Sequence, residues 1–197
     1  MPMSDWLADR RTEAAAERIL DAAEELFTQY DAAAVGMNEI ARAAGCSRAT
    51  LYRYFESRDA LYTAYVHRET HRLFGEIGAQ LATITDPRQR LVEGALGALH
   101  RVRNSPALAS WFAHSARPIG GEMAERSEVI RTLAEAFLLS MGDDQPGVTL
   151  RARWLVRVLI SLLQFPGHDD ADERAMLETF VAPTVGGFLT QPSTRAP

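Results

Sequence analysis

The sequence predicts an all-α fold: an N-terminal three-helix helix-turn-helix domain followed by a larger C-terminal helical bundle, about nine helices in total. Three observations predict it. Apolar residues recur at helical spacing along most of the chain, as in the stripe Ile19, Ala22, Ala23, Leu26 and Tyr30. No stretch of strand length alternates apolar and polar residues with β-branched enrichment. The breaks between periodic segments carry helix punctuation, such as Ser57 before Asp59, Asp86 before Pro87, and Pro106.

In chain order, the periodicity predicts a first helix over 12–30 and short helices over 37–44 and 48–55 on either side of Gly45. Ser57 opens a long helix to about residue 83, Asp86 and Pro87 open one to 104, and Pro106 opens a short one to 115. After Pro118, Gly120 and Gly121 a single helix is expected to residue 141, then a loop over 142–147. Two helices remain, over 149–165 and 172–190, the second kinked at Pro183. The expected division is 1–56 for the helix-turn-helix domain and 57–190 for the body, with 191–197 a disordered tail containing two prolines and no apolar face.

Composition narrows the function classes. Hydrophobic residues make up 47% of the 197 and charged residues 24%, enough for an ordinary globular core. Even the most apolar run, 154–165, is interrupted by Arg157, so no membrane span is expected. The N-terminus has no basic block followed by an apolar one, and the single cysteine, Cys46, fits a reducing compartment; the expectation is a cytoplasmic protein. All 21 basic residues are arginine, in keeping with an alanine-rich composition, and each can make forked contacts to phosphate or guanine. Net charge is −5, yet residues 40–58 hold Arg42, Arg48, Arg53 and Arg58 against Glu56 alone. A local basic patch matters more for nucleic acid than the total.

That segment carries the chemistry. A helix-turn-helix needs a small residue where its helices cross and a left-handed residue in the turn; Ala41 and Gly45 meet both needs. Ile40, Ala44, Cys46, Leu51 and Phe55 form an apolar underside, which leaves Arg48, Ala49, Thr50, Arg53 and the edges of Tyr52 and Tyr54 outward. A cationic, hydroxyl-bearing and aromatic face suits a DNA groove.

The run Ser47-Arg48-Ala49-Thr50-Leu51-Tyr52-Arg53-Tyr54-Phe55, followed by Arg58-Asp59-Ala60-Leu61 and preceded by Ile40-Ala41 and Gly45, resembles the signature of the TetR (tetracycline-repressor-like) regulators. The segment from Ile19 to Phe27 resembles that family's first helix, and the close likeness covers roughly 14–65. It implies that Arg48, Thr50 and Arg53 reach base edges, with Ala49 in close approach, and that Ser47, Tyr52, Tyr54 and Arg58 contact phosphate. Three positions depart from the pattern. Asp31 stands where Gly is usual, Gly36 where a capping Thr is usual, and Glu56 often corresponds to Lys. Gly36 is left as at most a backbone donor. Arg10 and Arg11 read as a solvated tail, with a minor-groove arm as the alternative.

Other chemistry finds little support. His67 and His71 lie four apart with Glu69 between them, but the order is not His-Glu-x-x-His and no third ligand is evident, so no metal site is expected. No phosphate-cradling loop and no nucleophile–base pair is visible, so neither enzyme activity nor a cofactor is expected.

The helix around Trp154 is apolar almost all round and must be covered on more than one side. Leu155, Leu159 and Leu162 on it, with Met176, Phe180 and Phe188 on the last helix, are therefore read as a two-fold homodimer interface, which the resemblance also implies; an intramolecular core is the competing reading. The resemblance further implies an unidentified small-molecule effector, apolar in character, and release of a palindromic operator in double-stranded DNA. Phe74, His100, Trp111, Phe112, His114 and Trp154 are read as its lining, beside Leu73, Ile77 and Leu96. A regulator or architectural DNA-binding protein without a ligand is the alternative.

Overall fold

The computed structural model describes residues 5–112, 119–143 and 146–185, with side chains from residue 12 onward. Every regular element among them is helical: α1 (Asp5–Gln29), α2 (Met37–Ala43), α3 (Arg48–Tyr54), α4 (Arg58–Gln80), α5 (Pro87–Asn104), α6 (Pro106–Phe112), α7 (Ile119–Arg126), α8 (Glu128–Ser140), α9 (Val148–Gln164), α10 (Asp170–Met176) and α11 (Ala182–Val185). A 3₁₀ turn, Leu81–Thr83, ends α4, and a π segment, Leu177–Val181, joins α10 to α11 in one continuous rod. That makes ten rods among the described residues. The additional one arises because the helix expected up to residue 141 breaks at Ser127, whose extended backbone ends α7 and whose side chain accepts from the Ile130 N–H to cap α8.

The predicted caps are in place. Ser57 accepts from the Ala60 N–H, and Asp86 from the Gln89 N–H with Pro87 following. The first helix starts earlier than expected: Arg10 and Arg11 belong to α1, so a free N-terminal arm is corrected to helix. It also ends one residue sooner, and Tyr30 is 58% exposed rather than part of the buried stripe. The π segment lies just before Pro183, where the missing N–H disturbs the i→i−4 ladder. The Thr184 hydroxyl donates to the Phe180 carbonyl there, at 2.6 Å.

Two apolar clusters organise the chain. The first joins Ile19, Leu20, Ala23 and Phe27 of α1 with Ile40, Leu51 and Phe55, and extends to Leu61, Tyr62 and Tyr65 of α4 and Trp111 of α6. The second packs α5, α8, α9 and the last rod around Leu99, Leu138, Leu155 and Leu177. The core beneath the helix-turn-helix thus borrows side chains from beyond residue 56.

Arginine pairs tie the layers together. Arg68, nearly buried on α4, donates to Glu17, Asp21 and Glu24 of α1 and to its neighbour Glu69. Arg103 of α5 donates to both oxygens of Glu173 at 2.6 and 2.8 Å and to the Leu162 carbonyl. Glu173 also accepts from the Gly167 N–H, which accounts for a carboxylate that is 1% exposed.

Candidate nucleic-acid interface and internal cavity

The turn between α2 and α3 is built on Gly45, whose φ of +66° lies in the left-handed region that L side chains disfavour. Ile40 and Leu51 are fully buried beneath it, and Ala44 and Cys46 pack against the same core. Cys46 is half-buried and acts as a small apolar contact.

With that underside fixed, α3 presents its other face to solvent. Ser47 caps the helix by accepting from the Thr50 N–H at 3.0 Å, and the two hydroxyls lie 2.8 Å apart. Arg48, Ala49, Tyr52 and Arg53 are exposed, whereas Thr50 and Tyr54 are half-buried. The Arg48 guanidinium lies over the Tyr52 ring and that of Arg53 over the Tyr54 ring, each at 5.3 Å from the centroid. Two aromatic rings therefore hold two guanidiniums at the surface. No acidic side chain is paired with either among the described residues.

The departures from the usual pattern have local explanations. Asp31 Oδ1 accepts from the Ala33 N–H at 2.8 Å, an Asx turn that needs no left-handed residue. Glu39 Oε2 accepts from the Gly36 N–H at 2.9 Å, so the helix cap comes from the third helical residue and the proposed backbone donor is already engaged. Arg58 faces inward: its Nη2 donates to the Ala33 and Ala32 carbonyls at 2.6 and 3.3 Å, and its guanidinium sits over Tyr62 at 4.8 Å. In this arrangement it fastens the turn before α2 to the start of α4.

A cavity of about 370 Å³ lies in the body between α4, α5, α6, α7, α8 and α9. Of the residues named from the sequence, Leu73, Phe74, Ile77, Trp111 and Phe112 line it. Leu96, His100 and Trp154 do not. His100 lies on another side of α5, with Nε2 3.1 Å from Asp170 Oδ2, and Trp154 points outward, 52% exposed. His114 lies outside the described residues.

The phase of α9 decides where the expected dimer residues lie within the protomer. Leu155 and Leu162 are buried in the body's own core, and Leu155 and Leu159 face the cavity. Met176 is half-buried against the same core. Phe180 is 67% exposed, as an interface residue must be in a single protomer, while Phe188 lies outside the described residues. Other large apolar groups exposed on or beside α9 are Leu150, Trp154 and Phe165.

Sequence reasoning missed Glu69. It lines the cavity and is 6% exposed. Its signal was its phase: it lies three residues after Val66 and four before Leu73, on the apolar stripe of α4. Burial and the nearby Glu24 push its carboxyl above the usual carboxylate range, against the pull of Arg72 and Arg68. His67 and His71 form no metal cluster among the described residues.

A helix-turn-helix with a cationic aromatic face, set on a helical body around a cavity, defines a DNA-binding transcriptional regulator. The profile of bacterial regulatory proteins of the tetR family matches residues 19–65. The uncharacterized HTH-type transcriptional regulator Rv1255c of Mycobacterium tuberculosis (strain H37Rv) is 63% identical over 186 residues, covering 94% of this chain and 92% of that one. The crystal structure of the TetR family repressor AlkX from Dietzia sp. strain DQ12-45-1b superposes with a TM-score of 0.62 at 25% identity, covering 87% of this chain and 95% of AlkX. The structure of RolR in complex with resorcinol has a TM-score of 0.69 at 16% identity, covering 93% and 97%. The chain belongs to the tetR family and is a helix-turn-helix transcriptional regulator. No helix among the described residues is long and apolar enough to cross a membrane.

Proposed function

We propose that the protein is a homodimeric, sequence-specific repressor whose hold on a palindromic operator is released by an apolar small molecule. The observation that carries this reading is the double position of Trp111. It lines the cavity and also meets Phe27 of α1 edge-on, with ring centroids 5.3 Å apart, inside the core beneath the recognition helix. A ligand that displaces Trp111 acts directly on the packing that orients α3. Ligand binding and operator binding are then linked, each favouring its own arrangement of one aromatic cluster.

The operator side of the proposal rests on α3. Arg48, Thr50 and Arg53 reach base edges with Ala49 against the groove floor, while Ser47, Tyr52 and Tyr54 contact phosphate. Arg58 acts through the turn it fastens rather than as a first phosphate contact. A single short helix reads few base pairs, so two protomers present their α3 helices about 34 Å apart on successive major grooves. The dimer face is the outward side of α9 and the last rod, around Leu150, Trp154 and Phe180. RolR and a Bacillus subtilis FadR, of the same fold, are complexed with resorcinol and stearoyl-CoA respectively, so the fold alone does not choose the ligand.

Genomic footprinting of the purified protein tests the proposal. Protected palindromes in a few promoters are expected; broad protection without a shared motif would replace a local regulator with an architectural protein.

A further inference from the structure

Among the described residues the cavity lining is almost wholly apolar, and its one ionisable group is Glu69, beside the hydroxyl-bearing Thr70. Thr70 already donates its hydroxyl to the Val66 carbonyl at 2.6 Å, one turn back on its own helix. Glu69 is different. Arg68 Nε and Arg72 Nη1 both donate to its Oε1, at 3.1 and 2.9 Å, and Oε2 has no hydrogen-bond partner among the described residues. A carboxylate that lines an apolar cavity with one oxygen lacking a donor leaves that oxygen available to a ligand's O–H or N–H.

Its surroundings decide which ligands can supply that donor. Four carboxylates, Glu17, Asp21, Glu24 and Glu69, surround the two guanidiniums Arg68 and Arg72, so the cluster carries excess negative charge. Neither arginine lines the cavity, so among the described residues the charge displayed to a ligand is the glutamate's. Trp111 lines the same cavity, and its Nε1 and the hydroxyl of the stacked Tyr65 are buried without a hydrogen-bond partner among the described residues.

We infer that the cavity takes an apolar molecule with a single hydrogen-bond-donating head, an alcohol, phenol or amine, whose O–H or N–H donates to Glu69 Oε2, and that it excludes carboxylates and phosphate-bearing acyl carriers. The inference rests on the effector reading of the cavity and adds its polarity. The apolar tail lies along Leu73, Ile77, Leu99 and Leu159, which present no polar group to it. An anionic head placed at the same pole meets a like charge in a low-dielectric wall, and the neighbouring Arg68 and Arg72 are already engaged with carboxylates.

The test uses the full-length protein, with calorimetric titration of decanol, decylamine and decanoate below their aggregation concentrations. Decanol and decylamine are expected to bind at least about tenfold more tightly than decanoate, the loss expected for one hydrogen bond to a charged group. In Glu69→Gln that preference should collapse, with decanoate binding unchanged or strengthened; Glu69→Asp, which keeps the charge, should retain part of it. Equal or tighter binding of decanoate to the wild type, or an unchanged preference in Glu69→Gln, overturns the inference while leaving the effector cavity intact. Absence of binding by all three probes overturns the cavity reading and the inference with it. The wild-type ranking decides the matter even if a variant fails to fold.

Discussion

The indole of Trp111 stacks on the ring of Tyr65, with centroids 5.6 Å apart and planes 16° from parallel. Tyr62 and Phe27 close the same cluster, Phe27 meeting all three rings edge-on within 5.3 Å. The cluster joins α1, α4 and α6, so one group of side chains supports both the recognition helix and a wall of the cavity.

Trp111→Ala should destabilise the protein by about 3–5 kcal/mol, the cost of emptying a buried aromatic site. Trp111→Phe should cost less, yet weaken the linkage between ligand and operator, because the smaller ring loses its span from the cavity wall to Phe27. Urea unfolding measures the first effect. Operator affinity with and without ligand measures the second; an unchanged ratio in Trp111→Phe would remove this residue from the coupling.

On the recognition helix, Arg48→Ala and Arg53→Ala should each reduce operator affinity by about 1–3 kcal/mol. Both side chains are exposed and neither is tied to an acid, so melting temperature should hardly move. Mobility-shift titration beside a thermal melt separates the two quantities. Loss of binding with intact stability is the expected pattern.

Gly45→Ala places a Cβ on a residue with φ of +66°. Nothing crowds the site, so strain alone sets the penalty, about 1–2 kcal/mol. Equilibrium denaturation should detect it, and a stabilised variant would mean that the turn relaxes away from the left-handed region.

Arg103 donates to Glu173 and holds its carboxyl below its ordinary value of 4.5, with burial opposing and the Gly167 N–H assisting. A depressed carboxylate stabilises the fold above 4.5, and that contribution is lost as pH falls through the lowered value. Glu173→Gln should therefore be less stable than wild type near neutrality, by about 3–5 kcal/mol for a broken buried pair, and the gap should narrow in acid. Melting curves across pH for both proteins check the sign; a gap that widens in acid would contradict it.

Phe180 of the last rod is 67% exposed and Trp154 of α9 is 52% exposed. Trp154→Glu and Phe180→Glu should shift the protein from dimer toward monomer in analytical ultracentrifugation and weaken operator binding with it. Leu155→Glu should instead unfold the body, because Leu155 is 3% exposed in the core.

The sequence by itself determined that the protein is helical, where most helices begin, and which residues of α3 face outward. Those properties follow from local rules: a capping side chain acts within one turn, a glycine decides a turn by its own backbone, and seven residues of α3 have one clear apolar side, marked by Leu51. Its reach ended where a helix has no polar side to orient it. On α9 the rotation of the rod is settled only by its neighbours α8, α5 and α7, which turned Leu155 inward and Trp154 outward against expectation. The same holds for Arg58 and Glu69, whose charge suggested solvent. Only the tertiary structure decided that one meets the Ala32 and Ala33 carbonyls and the other an apolar cavity, because the carbonyls that Arg58 meets and the helices that wall the cavity come from residues distant in the chain.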